Sequence, residues 1–548
     1  MTKTHAIGTF AAIGSLTATI ALLTGLPAAS ADELADLRAN QELLQRRIEQ
    51  LAQGRDPNVP RGGGVPGAYG TEAVPGQPLA GGSFPRSFLI PGTDTSIRVG
   101  GDITEVLDYW LQNGPVNGIQ STTLSTNGNL QGQNLDIHGQ QVPGLGAPAV
   151  AVVGRPGFGA PPAQVNHSRG NGVFLQSPRE SRLNVETRTP TAWGETRTFT
   201  EFDFAGSGSY GQNTLTHNSD NLAPRLRYAY GTLGGFLAGQ ANSNFSDPDA
   251  NGEVLDFGGP IGQAGVVRIP QVRYTIAGPW GSAWSASLET PETDLLTPVG
   301  QIFQDTTGVG AGSQTAPPAA VTAFTFFSPA YGVVFPNGTA FGNNPTKNVA
   351  PDITFASYWA QPWGHVDFKL VGRDLTVTDG RFFSKSYFGY GGSISGDVKP
   401  GWFGWAKDDI VMQATAGNGI GRYLNDQTNG SLATNYLTTP ATQAIANSII
   451  FKPISAFGFQ AGYQHWWLPN LRSNINYGFA YYDVPTQLVG PSASMTLNKQ
   501  LQTFHVNVIW SPVAFIDTGV EYIWGQRKVL ANIYGTQQAL VGKFRVKF

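Results

Sequence analysis

One stretch decides the fold: residues 471–481, with the sequence LRSNINYGFAY. Alternate positions place Ile475 and Phe479 on one face and Arg472 and Asn476 on the other. This period of two is that of a β-strand with one apolar face and one polar face. A tilted strand of about ten residues is also long enough to cross a bilayer.

The same alternation recurs in residues 504–510 and 516–524, and it dominates the chain beyond residue 95. In a soluble sandwich, the apolar faces of such strands turn into a protein core. In a membrane barrel, they face lipid and the polar faces line a water-filled lumen. Periodicity leaves both folds open, so other features have to decide between them.

Aromatic residues beside tight turns favour the membrane barrel, where they lie at the interface between lipid and water. They occur at Trp193-Gly194, Trp280-Gly281, Trp363-Gly364, Trp466-Trp467 and Trp510-Ser511-Pro512. The last strand also alternates and ends in Phe548. A terminal Phe in this setting is predicted to be the signal that the barrel-assembly machinery of the outer membrane recognises.

Short connections alternate with long ones along the chain, and the short ones number seven. They are Pro190–Gly194, Gly231–Gly235, Gly278–Gly281, Gln361–Gly364, Lys399–Lys407, Trp467–Asn470 and Ser511–Ala514. Seven hairpins supply fourteen strands, and strands at 96–110 and 538–548 bring the total to about sixteen. We therefore predict an all-β fold, a transmembrane antiparallel β-barrel over residues 95–548.

The composition agrees with this fold and excludes several other classes. Charged residues make up 13% of the chain, the formal net charge is -3, and the mean hydropathy is -0.15. This hydropathy is too low for a helical membrane protein, and the lack of net positive charge argues against nucleic acid as a partner. Because the chain has no cysteine, it has neither a disulfide framework nor a thiolate site.

Three segments precede the predicted barrel. Residues 1–31 have the features of a secretory signal peptide, with Ala29-Ser30-Ala31 as the cleavage site, and a single membrane anchor is the alternative. Residues 32–53 predict a short coiled-coil helix or, alternatively, one amphipathic helix. Their heptad positions carry Leu34, Leu37, Gln41, Leu44, Ile48 and Leu51. Residues 54–94 are rich in Pro and Gly and are predicted to be a linker.

Five motifs carry a family resemblance: 87–101 (SFLIPGTDTSIRVGG), 188–195 (RTPTAWGE), 201–204 (EFDF), 243–248 (SNFSDP) and 419–423 (GIGRY). They resemble the DcaP-like trimeric porins of Gram-negative bacteria, over nearly all of 32–548. The resemblance implies a homotrimer of sixteen-stranded barrels, joined by an N-terminal coiled coil, that admits small dicarboxylates and similar anions. Asp102, where the family pattern has an aromatic residue, and the unusually long outer loops are departures from it.

The third long connection, residues 243–265, lies between predicted strands five and six. In sixteen-stranded porins, the loop at this position folds inward and narrows the pore. Its carboxylates would then face inward basic residues across a narrow aqueous gap, which orients polar solutes and favours small organic anions. The carboxylates are Asp247, Asp249, Glu253 and Asp256, and the basic residues are Arg98, Arg182, Arg188, Arg225, Arg227, Arg273, Lys369, Arg373 and Arg472.

Simpler interpretations exist for these charges. Inward charges on neighbouring strands, such as Arg182, Glu186 and Arg197, can pair and stiffen the wall. The acidic loop can be a solvated surface loop or one that binds calcium.

Catalytic signatures are absent: the seven histidines are scattered, and no H-E-x-x-H, G-x-S-x-G or P-loop motif occurs. We expect no catalytic residue, cofactor or metal site, and a hydrolase built on loop residues is the alternative. The expected function is passive diffusion of small hydrophilic solutes, with a preference for small anions, through a homotrimer in contact with outer-membrane lipid. A structural or adhesive barrel without significant permeation and a secreted soluble all-β protein are competing hypotheses.

Overall fold

The computed structural model describes residues 81–112, 172–205, 223–264, 267–296, 302–304, 345–424, 430–436, 442–489, 494, 497–532 and 534–548. The predicted signal peptide (1–31), the predicted coiled coil (32–53) and most of the predicted linker lie outside these residues. So does most of the two longest connections between strands.

Sixteen long strands account for most of the described residues. They are β1 (Ser96–Gln112), β2 (Val173–Ser177 and Arg182–Thr191), β3 (Gly194–Asp203), β4 (Arg225–Leu233), β5 (Phe236–Asn242), β6 (Arg268–Ala277), β7 (Ser282–Glu289), β8 (Asp352–Gln361), β9 (Gly364–Thr378), β10 (Ser384–Val398), β11 (Asp409–Asn418), β12 (Ser455–Leu468), β13 (Leu471–Asp483), β14 (Asn498–Val513), β15 (Ile516–Val529) and β16 (Tyr534–Lys547).

Each strand pairs antiparallel with the next, and β16 pairs with β1 from Asp102↔Lys547 to Gln112↔Gln538. The sheet is therefore closed and has no free edge, which removes the exposed hydrogen-bonding groups that an open sheet would carry. The all-β barrel of sixteen strands is confirmed. The seven short connections are all turns between consecutive strands, and their end of the barrel is called the short-turn rim below.

Exposure shows which face of each strand points outward. On β13, Ile475 is 48% exposed and its neighbour Asn476 is 1% exposed. Val508 and Val520 on β14 and β15 are exposed in the same way, whereas Glu521 is buried. The apolar face is therefore the outer surface and the polar face lies inside, which is the arrangement of a barrel surrounded by lipid and not of a soluble sandwich.

Large aromatic side chains project from the short-turn rim. Trp193 and Phe403 are 85% and 88% exposed at the tips of their turns, and Trp280, Trp467 and Phe515 are also exposed. Amphipathic aromatic rings favour the boundary between acyl chains and water. The rim therefore has the aromatic belt that the tryptophan-turn pattern predicts.

Shorter elements lie outside the sixteen strands. They are a strand at Phe88–Leu89, one at Thr346–Lys347, a separate sheet of Asp294–Leu296, Ile302–Gln304, Leu432–Thr434 and Phe451–Pro453, the helix α1 (Gln443–Asn447), and 3-10 turns at Pro248–Ala250, Pro279–Gly281, Trp402–Gly404, Gly421–Tyr423 and Thr486–Leu488. Among the described residues, no helix has the length and apolar character to span a bilayer.

The segment before β1 differs from the linker that its composition predicts. Residues 81–95 form two successive turns, with Gly81 bridged to Phe88 and the strand Phe88–Leu89 paired with Ser96 and Ile97. This pre-barrel hairpin pairs with a barrel strand, a contact that the local composition does not encode.

Candidate functional site

The connection between β5 and β6, described over residues 243–264 and called the inward loop, lies against the inside of the barrel. Its first residues are fixed by Glu289 on β7, whose carboxylate accepts hydrogen bonds from Ser243 Oγ and Asn244 N, both at 2.8 Å. Asp247 then reaches the wall, where it accepts a hydrogen bond from Ser395 Oγ at 2.5 Å and contacts His365 Nε2 at 3.0 Å. The first residues of the loop are therefore attached to β7, and the loop then crosses to β9 and β10.

The middle of the inward loop is held by Arg472 on β13. Its guanidinium binds both oxygens of the Glu253 carboxylate, at 2.6 and 2.7 Å. Asn476 and Asn507 donate to the backbone carbonyl of Glu253, each at 3.0 Å. This part of the loop is attached to β13 and β14 through both its side chain and its backbone.

The tip of the loop reaches β15, where Leu255 N and Asp256 N donate to the Glu521 carboxylate at 2.8 and 3.2 Å. The returning chain passes close to the wall at Gly262, which has φ +85°. A Cβ there would lie 2.2 Å from the carbonyl oxygen of Phe479. Only glycine permits this approach. Together, these contacts show that the loop covers the inner face of β9 to β15.

The half of the lumen that the loop leaves uncovered contains a cavity of about 670 Å³, bounded by residues of β1 to β9 and β16 and by the first residues of the loop. Five of the predicted basic residues line it: Arg98, Arg182, Arg227, Arg273 and Lys369. Asp247 and Asp249 line it from the loop side. The inner face of β1 to β6, with its arginines, is called the basic wall below.

Most arginines of the basic wall share a small number of carboxylates. Glu186 pairs with Arg98, Arg188 and Arg197 at 2.7 to 2.8 Å. Asp203 pairs in the same way with Arg225 (2.6 Å) and Arg227 (2.9 Å). Pairing within the wall therefore occurs, as the simpler interpretation of these charges expects.

In the described part of the wall, Arg182 has no such carboxylate partner. Glu186 and Arg197, its predicted partners, pair with each other at 2.8 Å. Within the described residues, no carboxylate lies within ion-pair distance of Arg182, although its side chain borders the cavity. An arginine without a carboxylate partner keeps its hydrogen-bond donors available for an anion.

A β-bulge adds aromatic side chains that simple alternation misses. The pairing of β3 with β4 shifts between Glu201 and Phe202, which leaves Arg227 as the extra residue. Because a bulge changes which side of the strand the following residues face, Tyr228 and Tyr230 join Arg227 at the cavity. Nothing in the local sequence identifies the bulge, since it depends on the register of two strands.

Arg373 corrects the predicted set of pore-lining residues. It is inward-facing, but it is 1% exposed and is not among the residues that border the cavity. Its guanidinium is enclosed near the outer loops, where it binds Asp352 Oδ2 (3.1 Å), the Gly419 carbonyl (2.9 Å) and Ser431 Oγ (2.8 Å). Alternation gives the direction of a side chain but not its height in the barrel or what covers it.

The remaining predicted basic residues are engaged in contacts. Lys369 is buried beneath the loop start, where it contacts Asp367 and lies 3.8 Å from Asp247. Arg188 lies with its guanidinium carbon 4.5 Å from the centre of the Phe84 ring. Arg225 similarly lies 5.4 Å from the centre of the Phe257 ring.

Asp256 differs from the expectation that the loop carboxylates face basic residues. It is buried, and among the described residues neither carboxylate oxygen has a hydrogen-bond partner. Burial raises the pKa of Asp256 well above its ordinary value, and the neighbouring carboxylates of Glu521, Asp108 and Glu180 raise it further, against a smaller opposing effect of Lys543. The carboxyl group of Asp256 therefore favours its protonated form more strongly than an ordinary aspartate does.

Asp247 at the loop start has the opposite behaviour. Burial by itself would raise its pKa, but Lys369, His365 and Ser395 together lower the pKa of this carboxyl below its usual range. The two ends of the inward loop therefore carry carboxyl groups whose pKa values are shifted in opposite directions. In the described part of the chain, no group of three or more His, Asp and Glu side chains has the arrangement of a metal site.

Comparisons with known proteins agree with this geometry. The family model described as "Porin subfamily" matches residues 157–467, more than half of the chain. The solved outer-membrane channel DcaP of Acinetobacter baumannii is similar to this chain, with a TM-score of 0.55 and 18% identity, over 86% of this chain and all of that one. An anion-selective porin from Comamonas acidovorans aligns over 83% of this chain and all of its own length, with a TM-score of 0.41 and 10% identity. No curated protein matches the sequence.

Proposed function

The chain belongs to the Porin subfamily and is an outer-membrane β-barrel of a Gram-negative bacterium, and we propose that it is a passive diffusion channel for small hydrophilic solutes. We further propose that it prefers small anions such as dicarboxylates. One observation carries the preference: the uncovered half of the lumen has an excess of positive charge.

This excess is clear from the charged residues around the cavity. Nine cations border it, Arg86, Arg98, Arg182, Arg197, Arg227, Arg273, Lys369, Arg545 and Lys547, against five carboxylates, Asp102, Glu201, Asp247, Asp249 and Asp367. The whole chain, in contrast, has a net charge of -3. A water-filled path between low-dielectric walls concentrates the counter-ions of its own lining, which here are anions.

Arginine in particular suits the proposed solutes. A guanidinium can bind a carboxylate through two parallel hydrogen bonds, whereas a lysine ammonium acts as a point charge. A dicarboxylate can engage two such groups, and the basic wall presents several within one cavity. We propose that Arg182 has the largest part in this binding, because neighbouring carboxylates neutralise Arg98, Arg197 and Arg227.

The assembly and partners are also proposals. The outer faces of the strands are apolar and suit contact with outer-membrane lipid, and a homotrimer follows from the family resemblance. The backbone of Phe548 pairs with Gly101, and its side chain remains about half exposed. This placement is compatible with the proposed recognition of Phe548 by the barrel-assembly machinery. We propose no enzymatic activity, in keeping with a channel fold.

Ion selectivity in planar bilayers tests the function. The purified protein should give stepwise conductance, and its reversal potential in a salt gradient should have the sign of an anion-preferring channel. Arg182→Gln should lower the anion-to-cation permeability ratio about two- to fivefold, as expected for the loss of one weakly screened charge. Arg381→Gln removes an exposed charge between β9 and β10, outside the residues that border the cavity, and is the matched control.

The outcomes separate the channel from its selectivity. A silent protein at high dose would contradict permeation and favour a structural or adhesive barrel. A conducting protein with cation preference would contradict the anion preference alone. An Arg182→Gln variant that matches Arg381→Gln would contradict the proposed role of Arg182.

A further inference from the structure

The pre-barrel hairpin, residues 81–95, is attached to the barrel at the short-turn rim. Its first turn is closed by Gly82 N, which donates to the Ser87 carbonyl at 3.0 Å, and by Ser87 N, which donates to the Phe84 carbonyl at 3.2 Å. Ser83 N donates to the hydroxyl of Ser96, the first residue of β1, at 2.9 Å. The turn is thus fixed both internally and to the barrel.

Phe84 anchors this turn inside the barrel. Its side chain is 5% exposed and lies against two arginines of the basic wall, with its ring centre 4.5 Å from the guanidinium carbon of Arg188 and 5.8 Å from that of Arg98. Both guanidiniums are held in place by Glu186. A ring stacked on two fixed cations cannot leave without exposing them, so the turn has a defined position.

Arg86 is the residue that this anchor positions. It has φ +58°, a left-handed conformation that a residue other than glycine adopts only when its surroundings determine it. Its side chain borders the same cavity as Arg182. In the part of the chain that the structure describes, Arg86 has no carboxylate within ion-pair distance, and the side chain is exposed.

We propose that the pre-barrel hairpin is a fixed part of the solute pathway and that Arg86 is a specificity-determining residue of the channel. The hairpin supplies a cation that no barrel strand provides, and Phe84 is the positioning residue that holds it. The ligand class is a small anion carrying a carboxylate. This inference rests on the proposed function, but the location of Arg86 can be tested separately from selectivity.

A thiol probe tests the location. The chain has no cysteine, so Arg86→Cys introduces a single thiol into the full-length protein. A negatively charged methanethiosulfonate reagent should then block the open channel in discrete steps, and faster than its positively charged analogue, because the surrounding arginines attract it. Lys407→Cys is the matched control: it lies on another short-turn-rim connection, does not border the cavity, and should give no block. If the reagent blocks neither variant, the hairpin does not lie in the solute pathway and the proposal is wrong.

Charge removal tests the specificity. Arg86→Gln should lower the anion-to-cation permeability ratio about twofold, whereas Lys407→Gln should leave it unchanged. If Arg182→Gln lowers the ratio and Arg86→Gln does not, the proposed function holds and the role of Arg86 is wrong. If neither variant has an effect, the roles of both Arg86 and Arg182 are wrong. A wild-type reversal potential with the sign of a cation-preferring channel would show that the anion preference itself has failed.

The anchor is tested by a double-mutant cycle. In a Phe84→Ala background the hairpin loses its fixed position, so the further change Arg86→Gln should have less effect on the permeability ratio than it has alone. Additive effects of the two changes would show that Phe84 does not position Arg86. Normal heat-dependent mobility of the variant on SDS gels would confirm that the barrel has formed.

Discussion

The two halves of the lumen use the same kinds of charged residue with opposite results. On the half covered by the inward loop, cations and carboxylates meet in direct contact, as with Arg472 and Glu253, and are removed from the open path. On the basic wall, several arginines share few carboxylates, and Arg182 has none within ion-pair distance among the described residues. The difference teaches that a charged residue pointing inward affects solutes only where nothing packs over it.

Whether a charged residue is covered or open to the lumen also determines whether it contributes to stability or to selectivity. A buried pair contributes little to the field in the open path, but removing one partner leaves an uncompensated charge in a poorly solvated place. An unpaired arginine at the cavity contributes to the field, but little depends on it structurally. Variants in the two regions should therefore fail in different assays.

The largest expected effect is on Arg373, which outer-loop residues enclose in the same way that the inward loop covers Arg472. Arg373→Gln leaves Asp352 without its main cationic partner and should lower the stability of the barrel by about 3–5 kcal/mol, without changing the permeability ratio. Arg182→Gln should lower the permeability ratio without changing the stability of the barrel. The measurements are the temperature of the heat-dependent mobility shift on SDS gels and the reversal potential. A selectivity change in Arg373→Gln would break the comparison, because it would place that arginine in the open path.

A smaller effect is expected where the loop approaches the wall. Gly262→Ala places a Cβ 2.2 Å from the Phe479 carbonyl, so the loop must move away from the wall and into the cavity. We expect lower single-channel conductance and a loss of about 1–3 kcal/mol of stability. Gly380 has φ +75° but nothing within 4 Å of its Cβ position, so Gly380→Ala introduces similar backbone strain without the collision. If both variants behave alike, strain and not contact explains the result.

Much of the fold was predictable because its determinants are local. Period-two alternation at 471–481 and the tryptophan turns need only neighbouring residues, and they were sufficient to count sixteen strands. The position of a loop between strands five and six followed from the same count. The direction of each basic side chain also followed, since it depends on alternation within one strand.

What could not be predicted depends on contacts between distant parts of the chain. Arg373 points inward as expected, yet residues of two outer connections, β7 to β8 and β11 to β12, enclose it. The bulge at Arg227 arises from the register between β3 and β4. Phe84 lies in a Pro- and Gly-rich segment whose composition predicts a linker, and its ring packs against arginines of β1 and β2 that are distant in sequence.

The smallest effect concerns the two ends of the inward loop, which should respond to pH in opposite directions. The pKa of Asp256 is raised by burial and by Glu521, Asp108 and Glu180, so its contribution to stability is fully present below the ordinary aspartate pKa of about 4. That contribution is lost as the pH rises through the raised pKa, by about 1.4 kcal/mol for each unit of the shift. Asp247, whose pKa is lowered, loses its contribution only at a pH below the usual aspartate range.

Between pH 4 and neutral pH, therefore, the loop tip should weaken while the loop start should not. Asp256→Asn keeps the size of the side chain but cannot ionise, and should flatten the decline of barrel stability over this range. Asp249→Asn, on the same loop but bordering the cavity, should keep the wild-type slope. The slope is measured from heat-dependent mobility at a series of pH values. An Asp256→Asn variant that retains the full slope would show that Asp256 is already ionised in the folded protein, and that the tip is held by its backbone contacts to Glu521 alone.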